Sequence, residues 1–562
     1  MPWGREAFDR AKSEDKPILL AISAVWCHWC HVMDETSYSD DGVIDAINRR
    51  FVPIRVDNDR RPDVNARYNM GGWPTTAFLA PDGTALTGAT YMPPQQFRRA
   101  LDEIARFYAE RKDEIAQRSA QLQARITERT SPQRPELNET PITELIAQLE
   151  HSFDEEFGGF GEEPKFPQPD VGEFLLTEWR LSGEQRLHDI VARTMLAMAR
   201  GGMYDHVEGG FFRYSTTRDW SVPHFEKMAE DHAGLLRVLA LLVLFAPTDE
   251  FHATLVSTMG YVRRVLRDPQ TGFFAGSQDA DEAYYALPLD ERRKPPFVDR
   301  TSYTNWTCAL AGAQALAARA LDDDGLLAGA LQTLDGVAER LVAPDGLLYH
   351  VLPFGGAPEV SGLLVDHVAY ARALLDAHEI SGEARFLERA CSLAELVVER
   401  FEAQDGGFYD RIADGEVFGR LSVPDRPIIE NGLLADSFLR LAALTGVARY
   451  RKHAEQTLTL YAQRSRAAGS FAATYARALR RYLTPELALR IVGEVGATDE
   501  FREAGLRLPS PFTAIRTLSP AAAGTLQLPF EHPAAYVCVS GACGSPIREP
   551  GALRAAYDAL VA

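Results

Sequence analysis

Two cysteines separated by two residues, Cys27 and Cys30, carry the clearest chemical signal in the sequence. They follow the apolar run ILLAIS and lie where a segment with helical character begins. The exposed amides at a helix N-terminus stabilise a thiolate and lower its pKa. Two intervening residues let the second thiol resolve a mixed disulfide formed by the first. The spacing therefore predicts thiol–disulfide exchange, with Cys27 as the attacking thiolate and Cys30 as the resolving thiol.

Aromatic residues and a proline are expected to shape the client-binding surface beside these thiols. Trp26 and Trp29 flank the cysteines, and Trp73 and Pro74 precede another apolar run, TTAFLA. Thioredoxin folds place a cis proline beside the disulfide at the corresponding point, so we expect a cis bond before Pro74. The sequence predicts that these four residues contact a client protein.

The same segment allows two other interpretations. His28 and His31 add zinc-ligand types to the cysteines, but a helix would point the two imidazoles in different directions. No second cysteine pair lies nearby, so redox chemistry is favoured over zinc, and no metal or cofactor is predicted. An inert remnant also fits, because the two tryptophans would bury apolar surface whether or not the thiols react.

A second candidate site comes from the segment 201–232, which is dense in imidazoles, carboxylates and aromatic rings. Sugar sites use aromatic rings for stacking and polar groups for the hydroxyls, while paired carboxylates or histidines transfer protons. The candidates for proton transfer are His206, His224, Glu226, Asp279 and Asp281. The candidates for substrate binding are Arg213, Tyr214, Trp220, Asp231, His232, Asp366, His367 and Glu430.

Structural roles compete with several of these assignments. An aspartate at a helix start, such as Asp366, is most often an N-cap. His224 and Glu226 fit a network that braces a loop as well as they fit catalysis. A metal site built from these two and His232 is disfavoured, because it lacks the i, i+4 histidine pairing of strong zinc motifs.

The elements that must position the cysteine pair are readable in residues 1–115. Apolar runs at 18–23, 51–57 and 75–80 predict strands, and a Pro-Asp-Gly turn predicts a hairpin after the third. The order β-α-β, β-hairpin, α predicts an α/β thioredoxin-like domain. Residues 116–140, with Pro132 and Pro135, are predicted to be a helical connector and linker.

A repeat organises the rest of the chain. Gly-aromatic loops recur and are followed by apolar helices with a polar first turn, at spacings of 51, 62, 74 and 60 residues. This pattern predicts one helical hairpin per period, stacked as a solenoid or closed into a ring. The polar helix starts at one rim favour a closed all-α (α/α)6 toroid over 141–485. Residues 486–562, with a Cys538/Cys543 pair, are expected to complete the toroid or pack on it.

Charge and composition restrict the partners. The 562 residues include 59 basic and 79 acidic side chains, a formal charge of −20, without the basic stripe expected of nucleic-acid binding. Residues 1–130 are nearly neutral, with 18 basic and 19 acidic residues, so the toroid holds almost all of the excess. This field disfavours an anionic substrate and favours a neutral sugar as the toroid ligand.

Six cysteines are too few for a disulfide scaffold, and the charged N-terminus is unlike a signal peptide. The longest apolar run, 238–246, covers about half of the roughly 20 residues that span a bilayer. The sequence therefore predicts a soluble cytoplasmic protein with no membrane partner.

Several ordered motifs resemble the YyaL/spermatogenesis-associated protein 20 family. PWGREAF, EDKPILL, WCHWCHVM, VDNDRRPDV and GGWPTTAFLAPDG resemble its thioredoxin-like domain. KFPQPDVGEFLL, GGMYDHVEGGFFRYS, WSVPHFEKMAEDHAGLL, QDADEAYY and YVCVSGACGSPI resemble its C-terminal portion. The resemblance implies a second domain similar to six-hairpin glycosidases and N-acylglucosamine 2-epimerase, and with it carbohydrate binding or processing.

Three functions follow as hypotheses. The first is a thiol–disulfide oxidoreductase that acts on a client protein through the CHWC motif. The second is a sugar-active enzyme, either an epimerase or isomerase or a hydrolase, that works in the toroid. The third is a binding or scaffold protein without catalysis. The redox hypothesis ranks first because its chemistry is carried by contiguous residues.

Overall fold

A computed structural model describes residues 1–118, 135–412, 417–494, 496–526, 528 and 533–561. The chain divides into two compact units. The first contains Met1–Gln133 and Asp410–Asp425, and the second contains Arg134–Tyr409 and Arg426–Ala562. Most of the predicted connector, including Pro132, lies outside the described residues.

The first unit is built on a four-stranded sheet in the order β2-β1-β3-β4. The central β1 (Ile18–Ser23) pairs in parallel with β2 (Val52–Asp57) and antiparallel with β3 (Thr75–Leu79), which pairs antiparallel with β4 (Ala85–Ala89). The helices are α1 (Arg5–Glu14), α2 (His28–Glu35), α3 (Asp41–Arg50), α4 (Pro62–Tyr68) and α5 (Pro94–Glu110). This is the predicted thioredoxin-like order of elements.

Both faces of this sheet are covered, which explains the continuous apolar run of β1. Leu20 and its alternate neighbours on β1 face a core that contains Phe8, while Leu19 faces a second core with Phe51 and Phe97. Leu421 also lies in the first of these cores. The segment Asp410–Asp425 is therefore part of this unit, which the sequence did not predict.

The second unit contains the toroid. In the described part of the chain, each of six inner helices packs on the next, and the sixth packs on the first. The inner helices are, in order, Pro169–Ser182, Ala229–Phe245, Thr304–Leu321, Leu364–Ser381, Ile428–Thr445 and Ala473–Leu483. The outer helices are Thr140–Ser152, Gln185–Arg200, Asp249–Tyr261, Asp324–Arg340, Ala384–Phe401 and Ala448–Tyr461. The first outer helix packs on the sixth inner helix, so the ring is closed. The predicted (α/α)6 architecture is confirmed.

Buried lysines hold two of the Gly-aromatic loops in the same way. The ammonium of Lys165 donates to Asp154 at 2.6 Å and to a carbonyl of its glycine loop at 2.8 Å. Lys227 repeats the arrangement with Asp205 at 2.8 Å and a glycine carbonyl at 2.9 Å. Both lysines are fully buried, and the charge pairing offsets part of the cost of that burial. The repeat is therefore reproduced in side-chain contacts as well as in helices.

Residues after 486 form a small α/β subdomain within the second unit. Its sheet has the order β6-β5-β7-β8. Its strands are β5 (Leu487–Val492), β6 (Ala514–Leu518), β7 (Ala534–Val539) and β8 (Ala542–Cys543). Its helices are Asp499–Leu506, Pro520–Thr525 and Leu553–Val561. A four-stranded sheet at this place was not predicted, because these residues were expected only to complete or cover the toroid.

Short strands connect the rim loops of the toroid. They are Tyr214–Ser215, Pro223–His224, Lys227–Met228, Ser277–Gln278, Val298–Asp299, Ser302–Tyr303, Tyr349–Leu352 and Glu359–Ser361. The strand that ends at His224 pairs with the one that begins at Tyr214, and Lys227–Met228 pairs with Ser277–Gln278. These pairings position several of the predicted site residues.

Candidate functional site

The cysteine pair lies at the start of α2, directly after β1. Cys27 is the N-cap residue of this helix, and Cys27 and Cys30 form a disulfide. The backbone N–H of Cys30 donates to Cys27 Sγ at 3.2 Å. Both residues are buried, at 4% and 2% exposure. The helix therefore directs an amide at the sulfur that was predicted to react.

Trp26 is held in place behind the disulfide. Its indole N–H donates to the buried carboxylate of Asp59 at 2.7 Å, and its ring meets that of Trp73 edge-on at 5.5 Å. The Trp73–Pro74 peptide bond is cis, as expected. Asp59 was not among the predicted site residues, although it follows β2 in an acidic turn.

The side chains between and after the cysteines face solvent. Trp29 is 48% exposed and packs against Tyr91 at 5.2 Å, while His28 and His31 are also exposed. The sulfurs are joined to each other, and no group of three metal-ligating side chains occurs in the part of the chain that the structure describes. Trp29 is thus the aromatic surface available beside the buried disulfide.

In the toroid, the starts of the inner helices surround a cavity of about 380 Å³ that we name the carboxylate cavity. It is lined by six acidic side chains and two arginines, together with Asn305, Trp306 and Cys308. The acidic residues are Asp170, Glu173, Glu230, Asp231, Asp376 and Glu430. Of the sequence candidates, Asp231 and Glu430 line this cavity.

Asp231 has the most unusual protonation behaviour of the cavity residues. Enclosure by protein, with a contribution from the neighbouring Glu230, raises the pKa of Asp231 to about 7. Arg213 and Glu226 also act on this carboxyl, so both lie within electrostatic reach of it. Burial likewise raises the pKa of Asp170 above its ordinary value. The cavity therefore holds a carboxyl, that of Asp231, that can carry a proton near neutral pH.

His224 and Glu226 form a pair at the rim. The imidazole Nδ1 lies 2.9 and 3.0 Å from the carboxylate oxygens, Glu226 is 1% exposed, and the side chain of His224 is 26% exposed. The imidazole stacks on Tyr214 at 4.7 Å. The carboxylate orients an accessible imidazole, an arrangement used both in bracing and in proton transfer.

Three other proton-transfer candidates occupy different surroundings. His206 is exposed, and its Nε2 lies 3.1 Å from the carbonyl of Gly201. The carboxylate of Asp281 accepts from the N–H of Tyr284 at 2.9 Å, so it caps a short helix. Asp279 is half-buried and accepts from the N–H of Ala280. None of the three lines the carboxylate cavity.

Three of the predicted substrate-binding residues belong to the core instead. Trp220 is completely buried beneath the first glycine loop, where its indole N–H lies 3.3 Å from the Gly158 carbonyl. His232 accepts from the N–H of Phe211 at 3.0 Å and bonds a helix-start carbonyl through Nδ1. His367 repeats this arrangement in a later hairpin. Both imidazoles are fully buried, and both nitrogens of each ring bond the protein backbone.

Asp366 was expected to cap the start of its own helix, but it accepts a hydrogen bond from the first turn of the neighbouring inner helix. It accepts from the backbone N–H of Asn305 at 3.0 Å, in the first turn of the neighbouring inner helix, and from His350 Nδ1 at 2.9 Å. It is completely buried. Asp366 therefore positions Asn305, which lines the cavity, and is not itself one of the lining residues.

A buried ion network forms the floor of the carboxylate cavity. Arg237 bridges Glu173 and Asp376 at 3.3 and 2.5 Å, and Arg372 and Arg477 also pair with Glu173. Burial opposes ionisation of Glu173, but the surrounding arginines outweigh it and hold its pKa well below the usual range. These arginines are occupied by protein carboxylates and leave little positive charge for an anionic ligand.

Asp170, Glu230, Asn305 and Trp306 were missed as cavity residues. Each lies in the first turn of an inner helix, where polar residues are common as caps. Polar residues recur at the same position, the first turn, of successive apolar helices. This recurrence is the sequence signal that could have identified them as cavity residues.

Within the described residues, no helix has both the length and the apolar character needed to cross a bilayer.

Comparison with known proteins finds similarity over the N-terminal domain and over nearly the whole chain. Residues 1–127 match the thioredoxin-like family model Thioredox_DsbH, described as a protein of unknown function, DUF255. Human spermatogenesis-associated protein 20 is 26% identical over 98% of this chain and 89% of its own length. The mouse protein of the same name is 36% identical over 54% of this chain, an alignment that spans 40% of the mouse protein.

Two sugar-enzyme structures are similar to part of the chain. Cellobiose 2-epimerase from Bacillus thermoamylovorans is 12% identical with a TM-score of 0.48, over 57% of this chain and 86% of that one. A D-mannose isomerase is 13% identical with a TM-score of 0.48, over 58% and 84% of the two chains. The comparisons confirm the predicted resemblance to the spermatogenesis-associated protein 20 family, which extends over essentially the whole chain.

Proposed function

We propose that the protein catalyses thiol–disulfide exchange at Cys27 and Cys30. The observation that carries the proposal is the position of this disulfide at the start of α2, with the Cys30 N–H directed at Cys27 Sγ at 3.2 Å. In the reduced protein the same amide and the helix N-terminus would stabilise a thiolate at Cys27. One turnover of the reduced protein needs only the two thiols and a client disulfide, and an external dithiol supplies the electrons for the next.

The exchange is balanced within one cycle. The Cys27 thiolate attacks one sulfur of a client disulfide, forms a mixed disulfide and releases the other client sulfur as a thiolate, which takes a proton from water. Cys30, after losing its proton, then attacks Cys27 Sγ and releases the second client thiolate. Two electrons pass to the client, and the protein returns to the Cys27–Cys30 disulfide. An external dithiol reduces that disulfide and restarts the cycle.

The surroundings of the pair select the client. Because both cysteines are almost completely buried, an extended segment can approach more closely than a folded surface. The exposed ring of Trp29 provides apolar contact beside the sulfur, and Trp26 is held by Asp59 behind it. We therefore expect a flexible, disulfide-containing segment of a protein as client.

A turnover assay tests this proposal. Dithiothreitol supplies electrons, and reduction of insulin disulfides is followed with the full chain. Cys27→Ser is expected to lower the rate to that of dithiothreitol alone, while the paired variant Cys538→Ser, Cys543→Ser keeps it. A wild-type rate equal to the dithiothreitol background would overturn the proposal and favour a non-catalytic role.

A second candidate function is the binding of a neutral sugar in the carboxylate cavity. The observation that favours it is that two residues of the cavity lining, Asp231 and Asn305, each have a buried oxygen, Oδ2 and Oδ1, without a hydrogen-bond partner among the described residues. A sugar bound against these residues would offer hydroxyls to both, and Trp306 in the same lining supplies an aromatic ring. The acidic lining and the occupied arginines disfavour a phosphorylated sugar.

Proton transfer would use the carboxyl of Asp231, because its pKa is raised to about 7. Alternatively it would use the imidazole of His224, because Glu226 orients that ring. Calorimetric titration with glucose, mannose and N-acetylglucosamine tests binding. Asp231→Asn is expected to weaken it about tenfold, while Asp189→Asn on an outer helix leaves it unchanged. Equal affinity for glucose 6-phosphate would contradict a site for neutral sugars.

A further inference from the structure

The toroid holds a second cavity at the opposite, C-terminal ends of the inner helices. It has a volume of about 140 Å³ and is lined by six arginines and three carboxylates, so we name it the arginine cavity. The arginines are Arg180, Arg237, Arg319, Arg440, Arg477 and Arg481. Its charge balance is the reverse of that in the carboxylate cavity, and part of the buried ion network lines both.

Most of these arginines are neutralised by protein carboxylates. Arg440 pairs with Asp376 at 2.9 Å, Arg481 pairs with Asp436 at 2.7 Å, and Arg319 lies 3.3 Å from a surface glutamate. Arg237 and Arg477 belong to the network around Glu173. Five of the six positive charges therefore have an ionic partner.

Arg180, at the end of the first inner helix, is the exception. Among the described residues no carboxylate pairs with it, and its Nε is buried without a hydrogen-bond partner. Its terminal nitrogen donates to the Leu508 carbonyl at 2.8 Å, and its guanidinium lies 3.4 Å from the ring centre of Phe245. Burial lowers the pKa of Arg180 to about 9, as expected for a cation removed from water without a counter-charge.

The walls around Arg180 are apolar. Leu241, Leu244, Phe245 and Leu506 line the same cavity. A fully polar oxyanion such as phosphate would leave several oxygens against these walls without donors, at a cost in free energy. A ligand with one charged end and one apolar end fits better, and the volume is similar to that of the roughly 150 Å³ cavity known to hold a benzene ring.

We propose that the arginine cavity binds a small organic carboxylate, whose charged end pairs with Arg180 and whose apolar end packs against Phe245 and Leu506. The carboxylate would pair with the guanidinium of Arg180, which lines the cavity and has no carboxylate partner among the described residues, in a charge-assisted hydrogen bond. The ligand lies between the toroid and the C-terminal subdomain, because Arg180 already bonds Leu508. The proposal is independent of the chemistry at Cys27.

Benzoate serves as the probe, and benzyl alcohol, of similar shape but uncharged, as its control. Calorimetry and thermal unfolding are carried out on the full chain. Benzoate is expected to bind at least tenfold more tightly than benzyl alcohol and to raise the melting temperature. Arg180→Met is expected to fold, because it replaces an unpaired buried charge by an apolar chain of similar length. It should lose at least tenfold in benzoate affinity.

Arg200→Met, the same substitution at an exposed ion pair on an outer helix, should keep the affinity for benzoate. Three results with benzoate and its uncharged control would overturn the proposal. They are the absence of benzoate binding to the wild-type chain at millimolar concentration, equal binding of benzyl alcohol, and unchanged benzoate affinity in Arg180→Met. Inorganic phosphate is titrated in the same way. If it binds more tightly than benzoate and its affinity also depends on Arg180, the cavity is a simple anion site, and the proposed organic carboxylate ligand is wrong.

Discussion

The two four-stranded sheets of this protein share strand order and direction but place their disulfides differently. In both, the first strand is central, pairs in parallel with the second and antiparallel with the third, and the fourth lies at the edge. In the N-terminal sheet the disulfide follows the first strand, at a helix start. In the C-terminal sheet, Cys538 and Cys543 join the strands of a hairpin. The same topology thus carries a disulfide at a helix start in one sheet and across a hairpin in the other.

The likeness extends to the residues before the third strand. Pro74 precedes β3, and Pro533 precedes β7. A Cβ on Gly493, at the end of β5, would lie 3.4 Å from Pro533, so this proline faces the turn that corresponds to the CHWC turn. That turn carries no cysteine. The second sheet therefore repeats the strand order of the first and the proline before its third strand, without cysteines at the corresponding turn.

The C-terminal subdomain contacts the C-terminal ends of two inner helices through arginine side chains. Arg490 and Arg516 donate to the Leu444 carbonyl, at the end of the fifth inner helix, at 2.6 and 2.8 Å. Arg502 donates to the Ile380 carbonyl of the fourth at 2.8 Å. Cations at helix C-termini satisfy the last carbonyls and the helix dipole. The second sheet is therefore anchored to the C-terminal ends of the inner helices, whereas exchange chemistry is proposed for the first.

Alkylation rates should separate the two sheets most strongly. After full reduction, Cys27 is expected to react with iodoacetamide at pH 7 at least about tenfold faster than Cys543, since only Cys27 lies at a helix N-terminus. Mass spectrometry of the two peptides over time measures both rates in one sample. Similar rates would remove the chemical distinction between the sheets.

The hydrogen bond between Trp26, the residue before Cys27, and Asp59 can be tested by substitution of Asp59. Asp59→Ala removes the acceptor of the buried Trp26 indole and should lower the free energy of unfolding by about 1–3 kcal/mol. Asp59→Asn keeps an oxygen acceptor and should lose less. Denaturant unfolding followed by tryptophan fluorescence measures both. A loss as large in Asp59→Asn as in Asp59→Ala would assign the effect to charge and not to the hydrogen bond.

The hairpin disulfide should matter for stability alone. It closes a loop of six residues, with the two-residue turn Ser540-Gly541 at φ 48° and 85°. The paired variant Cys538→Ser, Cys543→Ser should lower the free energy of unfolding by about 2 kcal/mol, as expected for so short a loop. Urea unfolding under oxidising conditions measures this loss. A fall in disulfide reductase activity would show that this pair takes part in exchange.

The smallest effect on stability is expected at Trp29. Because nearly half of its surface is exposed, Trp29→Ala should change the free energy of unfolding by less than about 0.5 kcal/mol. If the ring contacts the client only during binding, the KM for a protein client should rise while kcat changes little. A lower kcat with unchanged KM would assign Trp29 to the chemical step instead.

The sequence predicted what depends on local pattern. ILLAIS followed by CHWC identifies a strand, a turn and a helix start, and the Gly-aromatic period identifies the hairpins of the toroid. The carboxylate cavity was only partly predicted, because Asp170, Glu230 and Asn305 meet through helices far apart in the chain. His232 and His367 were predicted to bind substrate, and the structure shows both as buried imidazoles that bond loop amides, a role with the same sequence pattern as ligand binding.

The C-terminal sheet and the buried ion network were missed for a related reason. The runs LALRIV and AIRTL have strand character, but their pairing is set by residues far along the chain. Arginines such as Arg237 and Arg440 occupy helix positions that a sequence pattern assigns to solvent, whereas closure of the ring buries them. Only the arrangement of the inner helices shows that their charges meet.

Trapping of the mixed disulfide tests the central claim most directly. In Cys30→Ser the resolving thiol is absent, so a disulfide-containing peptide should remain joined to Cys27 after mixing with the reduced protein. Peptide mapping by mass spectrometry should find the adduct on Cys27 and none on Cys538 or Cys543. An adduct confined to the hairpin cysteines, or no adduct at all, would contradict the assignment of exchange chemistry to the N-terminal sheet.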